Sequence, residues 1–175
     1  MGLNNLFDKI PLNNYIVLES IPAFSDNAKA VYEELIRRKF NKKYKFFWLN
    51  YNDECNRTVF GNVKNVYLLE NSAKGNILRQ LSNRIKTSFV LHTAKLLISG
   101  NNFFSKFRTE QINIHLAHGA ALKNCKGHYT LPNDVDAVLT FSDYMAKYDA
   151  INYMCDKAKL IPLGYPRNDE LFGEK

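Results

Sequence analysis

His118 closes the apolar part of Ile112 to Lys123, INIHLAHGAALK, where a β-type run stops at His118-Gly119 and opens into a small-residue, helix-compatible stretch. Imidazole is the side chain best suited to moving a proton near neutral pH. In an α/β protein the carboxyl end of a strand is also where ligands bind, in the crevice outside the strand ends. His118 is therefore the first candidate for chemistry. A strand-end histidine can equally hydrogen-bond its own loop, and the residues by themselves support both readings. His115 lies three positions earlier, an offset that sends two strand side chains to opposite faces, so the pair does not suit one metal. His92 falls in an apolar helical segment, where a hydrogen-bonded core histidine is expected. His128 follows Gly127 in a loop that either borders the crevice or is simply exposed.

Gly164-Tyr165-Pro166-Arg167-Asn168-Asp169 is the second cluster. Its glycine permits close approach, its proline fixes the exit direction, and Arg167 suits either clamping a phosphate or pairing with Asp169. A helix cap at Asn168 or Asp169 is an equally good account, and the two are compatible. No GxGxxG follows the first strand and no GxxxxGK[ST] occurs, so neither a dinucleotide fingerprint nor a P-loop is present. Ser20, Ser25 and Ser142 lack a GxSxG elbow, which argues against an α/β-hydrolase. Cys55, Cys125 and Cys155 are odd in number and far apart, without zinc-type spacing, so no metal site is expected.

These residues need a frame, and the chain supplies one by alternating strand and helix. Strands are predicted at residues 14–20, 44–50, 65–69, 95–99, 111–117, 136–141 and 159–163. Ser25-Asp26-Asn27 offers a helix start before Ala30, Val31, Leu35 and Ile36. A long helix is predicted within 72–94, with Ile77, Leu78, Leu81, Ile85 and Phe89 on one face. A third begins at Ser142-Asp143 and ends near Met154. Near-continuously apolar strands separated by helices imply βαβ units: an α/β, Rossmann-like, doubly wound, mainly parallel sheet with helices on both faces. Right-handed crossovers then place Ser25-Asp26-Asn27, Gly100-Asn101, His118-Gly119, Ser142 and Gly164 to Asp169 along one edge. Backbone N–H groups at such an edge can face an anion.

A chain of 175 residues is expected to form a single domain. No apolar run reaches the roughly 18 residues of a membrane span, and the N-terminus lacks the pattern of a signal peptide, so a cytoplasmic protein is expected. The net charge of +7 favours anionic partners: nucleic acid, phosphorylated polymers or metabolites, or an acidic membrane face. The densest basic stretch, Arg37 to Lys45, reads as a solvated helix end or as a surface for phosphate groups. No zinc finger, RNP-type strand or helix-turn-helix is recognisable, which disfavours nucleic acid.

HGAALK at 118–123 resembles the HGTPLK-type motif of the CDP-glycerol glycerophosphotransferases, which polymerise or prime teichoic acids. GYPRNDELF at 164–172 resembles that family's G-x-P-R-N-D motif. Weaker matches lie in the same order: YIVLESIPAFSDNAKAVYEEL at 15–35 and HTAKLLISG at 92–100. The resemblance implies the N-terminal, acceptor-side half of a glycosyltransferase-B fold, with a C-terminal nucleotide-binding half lying beyond residues 1–175. It also implies transfer of glycerol phosphate, or a related polyol phosphate, from a CDP-polyol to an acceptor hydroxyl with release of CMP. His118 would be the base. Substrate contacts would come from Gly119, Lys123, Arg167, Asn168, Asp169, Ser25 and Asn27, with Arg167 on phosphate and Asp169 orienting it. Implied partners are a CDP-polyol such as CDP-glycerol, a polyanionic or lipid-linked acceptor and the cytoplasmic membrane surface, with no cofactor and no nucleic acid. The isolated half is expected to be inactive. Ala120 and Ala121 stand where Thr and Pro are common in the family, and Ala117 where Trp is frequent. A sugar-transferring glycosyltransferase-B enzyme and a non-catalytic polyanion- or membrane-binding module are the alternatives.

Overall fold

The computed structural model describes residues 6–50, 57–70, 76–119 and 130–173. Lys123, His128, Cys55 and Cys125, together with Ala120 and Ala121, lie outside the described residues. The strands are β1 (Asn13–Glu19), β2 (Lys45–Asn50), β3 (Val66–Glu70), β4 (Ala94–Ser99), β5 (Ile112–His115), β6 (Ala137–Leu139) and β7 (Leu160–Ile161). The helices are α1 (Asp26–Arg37), α2 (Ile77–Thr93) and α3 (Asp143–Tyr153). All the strands form one sheet in the order β3-β2-β1-β4-β5-β6-β7, and every pairing is parallel. The doubly wound, Rossmann-like expectation therefore stands.

Side-chain alternation along the central strands builds a core on each face. Ile16 and Leu18 of β1 join Phe46 and Trp48 of β2 under Ala28 and Tyr32 of α1. Val17, Phe47 and Leu49 point the other way, with Val90 at the end of α2. A third cluster, Leu131, Val135, Val138, Ala146 and Leu160, seats α3 on β6 and β7.

The late strands are shorter than their apolar runs suggest, for local reasons. β7 stops at Ile161 because Pro162 has no N–H to give a ladder. β5 stops at His115, and Ala117 two residues later takes a left-handed conformation with φ of 52°. In α2 the predicted apolar face exists, but Ile77, Leu78, Leu81 and Ile85 are exposed. The buried part is its last turns, Val90 to Thr93, which run directly into β4.

Strand order reverses between β1 and β4, the neighbours at the middle of the sheet. In open α/β sheets that reversal opens a crevice beyond the carboxyl ends of the strands. The loops leaving β1, β4, β5 and β7 meet there.

Candidate functional site

Leu116 continues from β5 by donating its N–H to the Ser99 carbonyl at 2.7 Å. The left-handed turn at Ala117 then swings the chain outward. That conformation costs a non-glycine residue about 1–2 kcal/mol, so the surroundings must hold it. Three consecutive carbonyls are held from outside the loop. Ala117 O accepts from Asn27 Nδ2 at 2.9 Å, His118 O from Arg167 Nη2 at 2.9 Å, and Gly119 O from the Tyr165 hydroxyl at 2.7 Å.

The donors come from two distant parts of the sequence, and they are locked to each other. Asn27, in the first turn of α1, is fully buried; its Oδ1 accepts the Arg167 N–H at 3.1 Å. Asp26 Oδ1 accepts from Arg167 Nη1 at 2.7 Å. Arg167 lies in the short 3-10 helix Pro166–Leu171, which Pro166 begins. Burial pushes the Tyr165 phenol up to about 12, so it remains a proton donor to Gly119 at all ordinary pH values. The loop carrying His118 is thus clamped by the start of α1 and by the segment after β7.

The imidazole of His118 is exposed. Its Nδ1 lies 3.3 Å from the Gly100 carbonyl. A carbonyl oxygen only accepts, so Nδ1 carries the proton and the Nε2 lone pair has no partner among the described residues. His115 has the opposite environment. It is buried, with Nδ1 3.0 Å from Ser99 Oγ and its ring edge-on to Phe103 and Tyr153. Burial, with the nearby His118, pushes its pKa down to about 3, which keeps it neutral. His92 is the core histidine expected: buried, with Nδ1 donating to Ser88 O at 2.8 Å.

Behind the Gly100 turn lies a group that the sequence reading passed over. Glu19, the last residue of β1, is fully buried. Its Oε2 accepts the N–H groups of Gly100, Asn101 and Asn102, each at 3.1 Å. Its Oε1 accepts from Asn102 Nδ2 at 2.8 Å. Burial raises the Glu19 pKa while these donors oppose the rise. Because every one of these partners is a donor, the arrangement is that of an ionised carboxylate. A lone acid ending an apolar strand was its signal in the sequence.

The expected site residues separate into groups. Ser25 occupies the N-cap position of α1 without capping by its side chain. Its hydroxyl donates to Pro22 O at 2.5 Å and its N–H to Ser20 Oγ at 3.0 Å. Asn27 has both ends of its amide engaged inside the protein. The carboxylate that orients Arg167 is Asp26, on α1, rather than Asp169. Asn168 and Asp169 line an open depression with Ser142, Gly164 and Tyr165. Gly164 there has φ of 80°, the left-handed region that favours glycine. Among the described residues no group of three or more His, Cys, Asp or Glu side chains is placed to hold a metal ion.

A base with a free Nε2, on a clamped loop beside the switch point, can take a proton from a bound hydroxyl. The family model for CDP-Glycerol:Poly(glycerophosphate) glycerophosphotransferase matches residues 5–175. Among solved structures, the wall teichoic acid polymerase TagF matches 97% of this chain and 44% of its own, with a TM-score of 0.67 and 16% identity. A histidine-to-asparagine variant of TagF soaked with CDPG matches with a TM-score of 0.65 and 19% identity, over 97% of this chain and 45% of that one. This chain therefore spans less than half the length of those structures. No curated protein matches it.

Proposed function

The chain belongs to the CDP-glycerol:poly(glycerophosphate) glycerophosphotransferase family, and from that premise we propose that it forms the acceptor-side, N-terminal half of a glycosyltransferase-B-type enzyme. The reaction is transfer of glycerol phosphate, or a related polyol phosphate, from a CDP-polyol to a hydroxyl of a growing envelope polymer. The acceptor oxygen attacks the polyol-bearing phosphorus, a new P–O bond forms, and the P–O bond to CMP breaks. His118 Nε2 accepts the hydroxyl proton. Donor phosphates are held chiefly by the other half of the enzyme.

The observation that carries this reading is the clamp on three consecutive carbonyls. It fixes the loop and leaves Nε2 open beside the reversal in strand order. Positioning of this kind supplies much of the barrier reduction in phosphoryl transfer. Gly119, next to His118, borders the acceptor, and Lys123 is the acceptor contact that the family motif implies. Asn168 and Asp169 border the cleft on its far side, and Arg167 combines loop support with an exposed guanidinium edge near the phosphates. Asn27 and Ser25 act by holding that geometry. The net charge of +7 supports a polyanionic or lipid-linked acceptor at the cytoplasmic membrane face. No helix among the described residues is long and apolar enough to cross a membrane.

The test is CMP release from CDP-glycerol with a glycerophosphate acceptor, for this chain alone and for the chain joined to a second Rossmann-like half. The joined form turns over and the chain alone does not. In the joined form His118→Ala lowers kcat by about 10²–10⁴-fold, the usual contribution of a general base, with the fold intact by circular dichroism. Near-normal turnover of that variant rejects the assignment. Consumption of a UDP-sugar without CMP release would assign a sugar transferase instead.

A further inference from the structure

We propose that the buried Glu19 carboxylate is a positioning residue for His118, acting through the peptide group that joins Gly100 to Asn101. The connection is covalent at its centre. Glu19 Oε2 accepts the N–H of Asn101, and the carbonyl of that same peptide unit, Gly100 O, accepts the proton on His118 Nδ1. Carboxylate, peptide and imidazole thus stand in one line of hydrogen bonds, from the end of β1 through the turn after β4 to the loop after β5.

Two consequences follow from elementary electrostatics. An anion on the N–H side of a peptide polarises it and makes its carbonyl oxygen a stronger acceptor. A stronger acceptor on Nδ1–H fixes that tautomer and raises the basicity of Nε2, as carboxylate partners of histidine do when they bond the ring directly. Here the carboxylate is kept from the imidazole by one peptide, so it cannot take the proton itself. The bonds from Glu19 to Gly100 and Asn102 hold the turn in register on both sides of the relaying peptide. Asn101 Oδ1 further accepts the N–H of Ile21 at 2.8 Å, tying the turn back to the chain leaving β1. Gly100 suits this position because a Cβ would sit 3.2 Å from the Glu19 carbonyl.

Among the described residues two other charged groups approach His118, the Arg167 guanidinium on its carbonyl and Asp26 of α1 paired with that guanidinium, while the titratable His115 on β5 is neutral. Arg167 and Asp26 offset one another. Glu19 is then the net charge aligned with the ring.

The advantage of a more basic Nε2 rests on the reading of His118 as the base, whereas the relay is measurable on the folded chain without turnover. Nitrogen-15 NMR of the wild-type chain reads the tautomer of His118, with His92 as internal control. The Nδ1–H tautomer is expected. Glu19→Gln keeps the shape and removes the charge, and moves the His118 ring-nitrogen signals from the Nδ1–H pattern towards a mixture of tautomers, leaving those of His92 unmoved. Glu19→Asp, which restores the charge, recovers part of that shift.

An Nε2–H tautomer in the wild type, which is read whether or not any variant folds, overturns the proposal. So do unchanged His118 ring-nitrogen signals in folded Glu19→Gln. In the transferring form, the same variant lowers kcat and leaves KM unchanged. If His118→Ala keeps transfer while Glu19→Gln still shifts the His118 tautomer, the base assignment fails and the relay stands. The reverse pattern rejects the relay alone.

Discussion

His115 and His118 sit three residues apart with opposite electrostatic fates. His118 projects into the open crevice with a free nitrogen. His115 is sealed among Ser99, Phe103 and Tyr153 and is neutral down to a pH of about 3. Its unfolded-state counterpart takes up a proton near pH 6.5. Below that pH the unfolded chain binds a proton that the native state refuses, so the native state loses ground as pH falls from 6.5 towards 3. From pH 6.5 to pH 5 this one residue costs about 1.6 kcal/mol of stability. Urea unfolding at the two pH values is expected to show a change in stability that is less favourable in the wild type than in His115→Gln by about that amount. Equal slopes would mean that His115 charges in the native state. Glu19 and Asp149, whose pKa values burial raises, pull in the opposite direction. The difference between wild type and variant therefore isolates the histidine.

At the scale of elements, period and polarity in the sequence located the seven strands and the helices α1, α2 and α3 among the described residues, because each central strand alternates between two buried faces. The edge carrying Ser25 to Asn27, Gly100, His118 and Gly164 to Asp169 followed from parallel topology and crossover hand. What periodicity could not show was which end of α2 is covered. Its apolar positions share a face whether or not anything lies over them, so Leu81 and Val90 look alike in sequence although one is exposed and the other buried. Leu81→Lys is expected to leave the urea-unfolding free energy within about 0.5 kcal/mol of wild type, whereas Val90→Ala costs about 2 kcal/mol. A cost at Leu81 as large as at Val90 would place a packed partner over that half of the helix. The internal partners of the site were hidden for a related reason. Asp26 rather than Asp169 holds Arg167, and Glu19 holds the Gly100 turn, through contacts spanning 141 and about 80 residues of sequence. Local spacing carries no trace of either.

The described residues form three apolar clusters, which raises the question of whether the molecule unfolds as one unit. Trp48, the single tryptophan, is fully buried in the cluster under α1, against Phe24, Tyr32 and Phe60. The β6–α3–β7 cluster contains none of those residues and joins the sheet through short pairings. Polar links compensate for the short ladders. Asp136 receives the Asn113 N–H at 2.8 Å and the Lys106 ammonium at 2.6 Å, and Phe103 bridges His115 to Tyr153. Beyond β7, Tyr165 and Arg167 return to the β5 loop and to α1. The segment is thus fastened to the central sheet at its start and again after its end, so opening it would expose its own core and release the clamp on His118 together. One cooperative transition is therefore expected, with Trp48 fluorescence and far-ultraviolet circular dichroism giving the same urea midpoint. A dichroism change preceding the fluorescence change would show the β6–α3–β7 segment opening first, and with it the loss of the His118 loop's support while the central sheet still stood.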